Sequence, residues 1–255
     1  MNIVVLPALD GRKPLGFLAA LGLTRLLEVH TDDQPRLAWS PTDGAARLHT
    51  GRTSIDDIVD ALEGVLAAIP EGGVLPGVPI GMPPLGAAPD GLRLPPKQLR
   101  ALVGHLAPAP TVEVDAWLSS LVTDLSLDEK GRCDISLMAA PSGTQSMRTM
   151  LEKPLAFVRR EPACLREALL GWRRRVGYTG EYLDHQVLFD GADSGVGKSQ
   201  ERGVPGATWL ALWPTRCCGP PRTGGSRSPP AGSDEGVDLP CSCTPCGRHR
   251  SRLME

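Results

Sequence analysis

Aromatic residues are scarce in this sequence: three Phe, two Tyr and five Trp make up 4% of 255 residues. An interior without them must be built from Leu, Val and Ala. With 41% hydrophobic and 22% charged residues, the chain is long enough to bury such a core. A large formal charge is also lacking, at −2, which argues against a protein that coats nucleic acid along its whole surface. No secretory signal opens the chain, because MNIVVLPALDGRK has no basic segment followed by a long apolar run. The apolar stretch 14–27 is shorter than the ~20 residues a bilayer-spanning helix needs, and Arg25 interrupts it. These absences describe a cytoplasmic globular protein with an aliphatic core and no membrane partner.

Catalytic and metal motifs are equally sparse. His30, His49, His105, His185 and His249 are scattered without HExxH or other ligand spacing, and neither GxSxG nor a Cys/His arrangement is present. The segment GADSGVGKS (191–199) imitates a phosphate-binding P-loop, yet that motif requires Gly where Ala192 stands, and SQERGVPG cannot continue as its long helix. Asp184 and His185 are the remaining polar pair suited to a metal or a proton transfer. No catalytic residue, metal or cofactor is therefore expected. The alternative is a phosphate-handling or metal-dependent enzyme that uses the 191–199 loop or Asp184 and His185.

What is present is an organised chain. IVVL (3–6) suits a short buried strand, PALDGRK a turn, and Pro14 the first position of a helix running to about residue 29. Leucines surround most of that helix, and Gly16, Ala20 and Gly22 allow close approach, so it is expected to be buried against a sheet. RLAWS and AARLHT alternate across Asp43-Gly44, a hairpin signal that puts Leu37 and Trp39 on the inward face. Ser54 and Asp57 form a capping box ahead of Ile55, Ile58, Val59, Leu62, Val65, Leu66 and Ile69, which recur at helical spacing.

Eight prolines between residues 70 and 96 exclude a regular element and predict a long loop. Helical patterns return at 97–106 and 112–121, and LSLDEKGRCDISLM predicts a second hairpin around Glu129 to Gly131. QSMRTMLEK and EPACLREALLGWRRR read as helices interrupted by Pro154 and restarted by Pro162. The expected fold is α+β, with an N-terminal βα unit, β-hairpins and packed helices in a domain over residues 1–213.

Composition changes at Trp213. Residues 214–255 hold seven Pro, six Gly, six Arg, five Ser and five Cys, without Lys, Ile, Phe, Tyr or Trp. A segment so poor in apolar side chains is expected to be disordered. Its bias towards Arg, Pro, Gly, Ser and Cys fits an out-of-frame reading of a GC-rich gene. Cys241, Cys243, Cys246 and His249 would be a weak zinc set, because the only other candidates, Cys217 and Cys218, are adjacent. Cys133 and Cys164 read as small buried hydrophobes.

Charge is placed unevenly. Residues 1–145 carry 11 Lys/Arg against 17 Asp/Glu, whereas residues 146–175 carry 8 against 3. That basic stretch holds Arg148, Arg159, Arg160, Arg166, Arg173, Arg174 and Arg175, with Trp172 beside the last three. Arg148, Arg159, Arg160, Trp172, Arg173, Arg174 and Arg175 are the candidate nucleic-acid contacts, provided that folding brings them to one face. The competing account is a capped helix start with solvated helix faces.

LPALDGRKPLGFLAALGLTRLL, GGVLPGVP, APSGTQSMRTMLEKPL, GWRRRVGYTGEYLD and GVPGATWLAL together resemble CRISPR-associated proteins of type I-G, formerly I-U, systems. The nearest resemblance is to the family named for an extension carried by the Cas helicase-nuclease of those loci. The opening helix and the GATWLAL segment also resemble the large subunit of the same subtype. The resemblance spans most of residues 3–212 and implies a non-catalytic accessory or effector-associated role in antiviral defence. The implied partners are CRISPR effector subunits or the Cas helicase-nuclease, with crRNA or target DNA; no catalytic residue is carried over.

Overall fold

Buried and exposed side chains alternate along NIVVLPALD over residues 3–6, making β1 (Asn2–Asp10) a strand with Val4 and Leu6 buried and the β-branched Ile3 and Val5 exposed on its other face. The computed structural model describes residues 1–74, 94–106, 122–135, 147–176, 178, 184 and 202–213. All of these lie within one compact unit, Met1–Thr223. The expected helix at 112–121, most of the proline-rich loop and the tail 214–255 lie outside the described residues.

The strand passes through Pro7 and Ala8, where a turn was expected. Pairing shifts register between Leu6 and Asp10, and β1 sits at one end of its sheet. Both features remove the need for an amide donor at Pro7. Asp10 then ends the strand, and α1 (Pro14–His30) starts with proline at its first turn.

The α1 helix buries Leu15, Leu18, Leu23, Leu26 and Leu27, together with Gly16 and Gly22, as its composition requires. Thr31 closes it: its backbone N–H donates to the Leu27 carbonyl at 3.1 Å and its hydroxyl to the same oxygen at 2.6 Å. The chain returns as β2 (Arg36–Trp39) and β3 (Ala45–Thr50) through a turn in which Gly44 adopts a φ of 74°. The Asp43 carboxylate accepts from Ala45 N at 3.1 Å and braces that turn.

The three strands form an antiparallel sheet in the order β1-β3-β2. The connection through α1 therefore crosses over β3, a split β-α-β arrangement. Val4, Leu6, Ala46 and Leu48 face the helices in one continuous core. Leu37 and Trp39 pack against that core, and Trp39 stacks on Phe17 of α1 with ring centroids 5.6 Å apart.

Helix α2 (Ile55–Ala67) begins at the expected capping box. The Ser54 hydroxyl accepts from Asp57 N at 3.1 Å, and the Asp57 carboxylate accepts from Ser54 N at 3.1 Å. Ile58, Leu62, Val65 and Leu66 line its buried face. Gly64 lies on the opposite, exposed face, and an added Cβ would meet nothing within 4 Å. Gly64→Ala should therefore raise stability by about 0.5–1 kcal/mol in urea unfolding, because alanine loses less backbone entropy in a helix.

Further on come α3 (Pro96–Leu106), then β4 (Val122–Leu127) and β5 (Cys133–Ile135), the second expected hairpin. Helix α4 (Met147–Arg160) is continuous, although Pro154 was expected to interrupt it. Proline removes one internal hydrogen bond, but Met150, Leu151, Leu155 and Val158 are buried on either side of it and hold the helix together. Helix α5 (Ala163–Leu170) follows from Pro162 as expected, but it stops at Gly171 and does not run through the arginines. Residues 171–174 are irregular, and β6 (Arg175–Val176) pairs with β7 (Arg202–Gly203).

The described chain closes with α6 (Pro205–Ala211), every residue of which is buried. It packs against α1, α4 and α5, so Trp209 and Leu210 complete the core. The fold is α+β. No helix among the described residues is long and apolar enough to cross a membrane.

Candidate nucleic-acid interface

The basic stretch spans α4, α5 and the turn into β6. Arg148 lies in the first turn of α4, and its side chain lies outside the described residues. The remaining arginines divide into those used inside the fold and those that reach solvent.

Arg159 is internal. Its guanidinium donates to the carbonyls of Ile69 and Pro70 at 2.6 and 3.0 Å, beyond the C-terminal end of α2, where carbonyls lack helical partners and the helix dipole favours a cation. An open depression of about 450 Å³ beside it is lined by Glu63, Leu66, Ala67, Ile69, Glu71 and Pro162. Its two carboxylates make that depression a poor seat for a phosphate.

Arg174 is likewise spent: its Nε and a terminal nitrogen both lie 2.9 Å from the Asp184 carboxylate, whose side chain is 1% exposed. Asp184 is thus the buried half of an ion pair, and His185 and the 191–199 loop lie outside the described residues. Arg175 contacts Glu167 at 2.9 and 3.1 Å and Glu161 at 3.2 Å. It also reaches Cys164 Sγ at 3.9 Å. Burial pushes the Cys164 thiol up, against the opposing pull of Arg175, so it stays protonated and unreactive near neutral pH. Cys133 is a second buried free thiol, also raised by burial.

Trp172 is half-buried and packed on the core, with its indole N–H donating to the Ala168 carbonyl at 3.3 Å. Its polar edge therefore ends α5 and does not await a base. Of the seven residues expected on one face, four are engaged inside the fold. Arg159, Arg174, Arg175 and Trp172 serve the fold, because carbonyls and carboxylates brought beside them by folding already accept their hydrogen bonds.

Three arginines do face solvent. Arg160, 64% exposed, lies over the Phe157 ring at 4.6 Å and near Glu161 at 3.9 Å. Arg173, 70% exposed, reaches Glu167 at 3.7 Å, and Arg166, 54% exposed, pairs with Asp56 of α2 at 2.9 Å. Exposed pairs of this kind contribute about 0–1 kcal/mol. Their arginines can exchange a carboxylate for a phosphate at small cost.

Sequence reasoning missed a second group of cations. Arg36 and Arg47 lie exposed on the outer face of the first sheet, flanking His49. Their signal was the period-2 alternation of AARLHT, which separates Arg47 and His49 from Ala46 and Leu48. Among the described residues no three His, Cys, Asp or Glu side chains gather as a metal site. No family model matches the chain, and neither a curated protein nor a solved structure matches it.

Proposed function

We propose that the protein is a non-catalytic component of type I-G CRISPR antiviral defence that works in the cytoplasm beside effector subunits or the Cas helicase-nuclease. It would bind nucleic acid, or an anionic surface on one of those subunits. The observation that carries this proposal is the trio Arg160, Arg166 and Arg173, solvent-facing cations on the one strongly basic stretch of a chain that is otherwise acidic. The resemblance supplies the cellular setting. Two of its segments enter β1, α1 and α6, which build the core, and two others enter α4 and the turn into β6, which carry the basic stretch.

Replacing Arg160, Arg166 and Arg173 together by Ala should flatten the dependence of log affinity on log salt by about 2–3 units, at roughly 0.7–0.9 per phosphate contact. Mobility shift with guide RNA, single-stranded DNA and duplex DNA measures this, paired with capture of purified effector subunits. Arg174 and Arg175 are left in place, because removing either strands the carboxylates of Asp184, Glu161 or Glu167 and unsettles the fold. A folded triple variant with unchanged nucleic-acid affinity and unchanged subunit capture would sink the proposal.

A further inference from the structure

The outer face of the β1-β3-β2 sheet is open. Helices α1 and α2 share the core with its other side, where Val4, Leu6, Ala46 and Leu48 are buried. On the open side the register aligns Ile3 with His49 and Arg36 in one row, and Val5 with Arg47 and Ala38 in the next. Ile3 is 58% and Val5 48% exposed, and Arg36 and Arg47 are exposed as well. None of these six positions holds a carboxylate. Neither Arg36 nor Arg47 forms an ion pair among the described residues. The carboxylate of Asp43, in the turn at one end of the sheet, feels the charge of Arg47.

Two features of this face work against an isolated protein. Exposed β-branched side chains on a strand at the end of a sheet invite association. Arg36 and Arg47 are diagonal neighbours, their strand positions roughly 7–8 Å apart across adjacent strands, and two cations held on one face of a sheet favour an anion beside them. A polyanion that carries flat, partly apolar groups between its charges relieves both.

We infer that this sheet face binds a single-stranded polynucleotide, RNA or DNA. Arg36 and Arg47 contact successive phosphates, His49 between them adds a hydrogen-bonding edge, and Ile3, Val5 and Ala38 take the faces of sugars and unstacked bases. A flat three-stranded surface lets bases lie across it, which paired bases in a duplex cannot do. Arginine guanidinium planes can also stack on bases. This face lies on different elements from the Arg160, Arg166 and Arg173 surface and does not depend on it.

The test is fluorescence anisotropy with labelled 12-nucleotide oligo-uridylate and oligo-thymidylate and with a duplex of equal length, titrated over a range of salt. Arg36→Ala with Arg47→Ala should remove two phosphate contacts at ~0.7 log units each per decade of salt, so affinity at 0.1 M salt falls about 25-fold. Ile3→Ser with Val5→Ser should weaken binding by a factor that does not change with salt. None of these side chains is buried or paired, so the variants should melt as the wild type does. The inference is overturned if the wild type binds neither oligonucleotide, if it prefers the duplex, or if the arginine pair leaves single-strand affinity unchanged. Loss in the Arg160, Arg166, Arg173 variant with no loss in the sheet variants would overturn this inference alone. The reverse result would uphold the sheet face and count against the helix-side surface.

Discussion

Gly206→Ala should cost about 3 kcal/mol or more of folding stability. A Cβ at this position would overlap the Cys164 carbonyl oxygen and lie 2.7 Å from its carbonyl carbon and 3.1 Å from the Ala168 Cβ. Those atoms belong to the backbone and a core position of α5, so no flexible side chain can swing aside. The strain must be relieved by moving α6, which carries Trp209, Leu210 and Ala211 into the core between α1 and α5. Urea unfolding should show a lower midpoint, and near-ultraviolet circular dichroism a loosened Trp209, which is 2% exposed in the native fold. Gly171→Ala is the control: an added Cβ there meets nothing within 4 Å, and its effect should stay within about 0.5 kcal/mol. Equal midpoints for the two variants would contradict the close packing of α6 on α5.

Asp10→Ala should lower stability by about 2–3 kcal/mol at neutral pH. The carboxylate is largely buried and accepts from Arg12 N at 3.0 Å, Arg12 Nε at 2.9 Å and an Arg12 terminal nitrogen at 3.0 Å, with Lys13 Nζ at 3.7 Å. It ties the end of β1 to the start of α1, and Arg12 extends the tie to the Asp43 carbonyl in the β2–β3 turn. The Arg12 side chain, and then its backbone N–H, hold the Asp10 carboxyl down at about 2.

A carboxyl depressed below its unfolded value of ~3.9 stabilises the fold fully above that pH and loses its contribution as pH falls towards 2. The gap between wild type and variant should therefore be constant from pH 7 to about 5 and shrink between about 4 and 2. Arg12 is 65% exposed, so solvent screening keeps the ionic share near ~1 kcal/mol, and the rest comes from the turn that the carboxylate braces. A gap that widens on acidification would refute this assignment.

Much of the local structure could be read from residues alone. Ser54 and Asp57 announced α2, Pro14 announced α1, and Asp43-Gly44 announced the first hairpin, because caps and turns act through hydrogen bonds within four or five residues. The errors fell where distant packing overrode local preference. Pro7 stands inside a strand because β1 has only one strand neighbour in its sheet. Pro154 stands inside a helix because Met150, Leu151, Leu155 and Val158 are buried around it. Gly171 ended a helix expected to run on through Arg173, Arg174 and Arg175.

The sequence by itself determined which side chains share a face. The period of two in AARLHT puts Arg47 and His49 on one face once the segment is a strand, and the spacing in α2 gathers its apolar stripe. Tertiary structure alone decided which arginines are available to a ligand. Arg166 meets Asp56, 110 residues away, and Arg159 meets the Ile69 carbonyl, 90 residues away. Electrostatic energy depends on separation in space, and no spacing along the chain shows which distant carboxylate folding will bring beside a guanidinium.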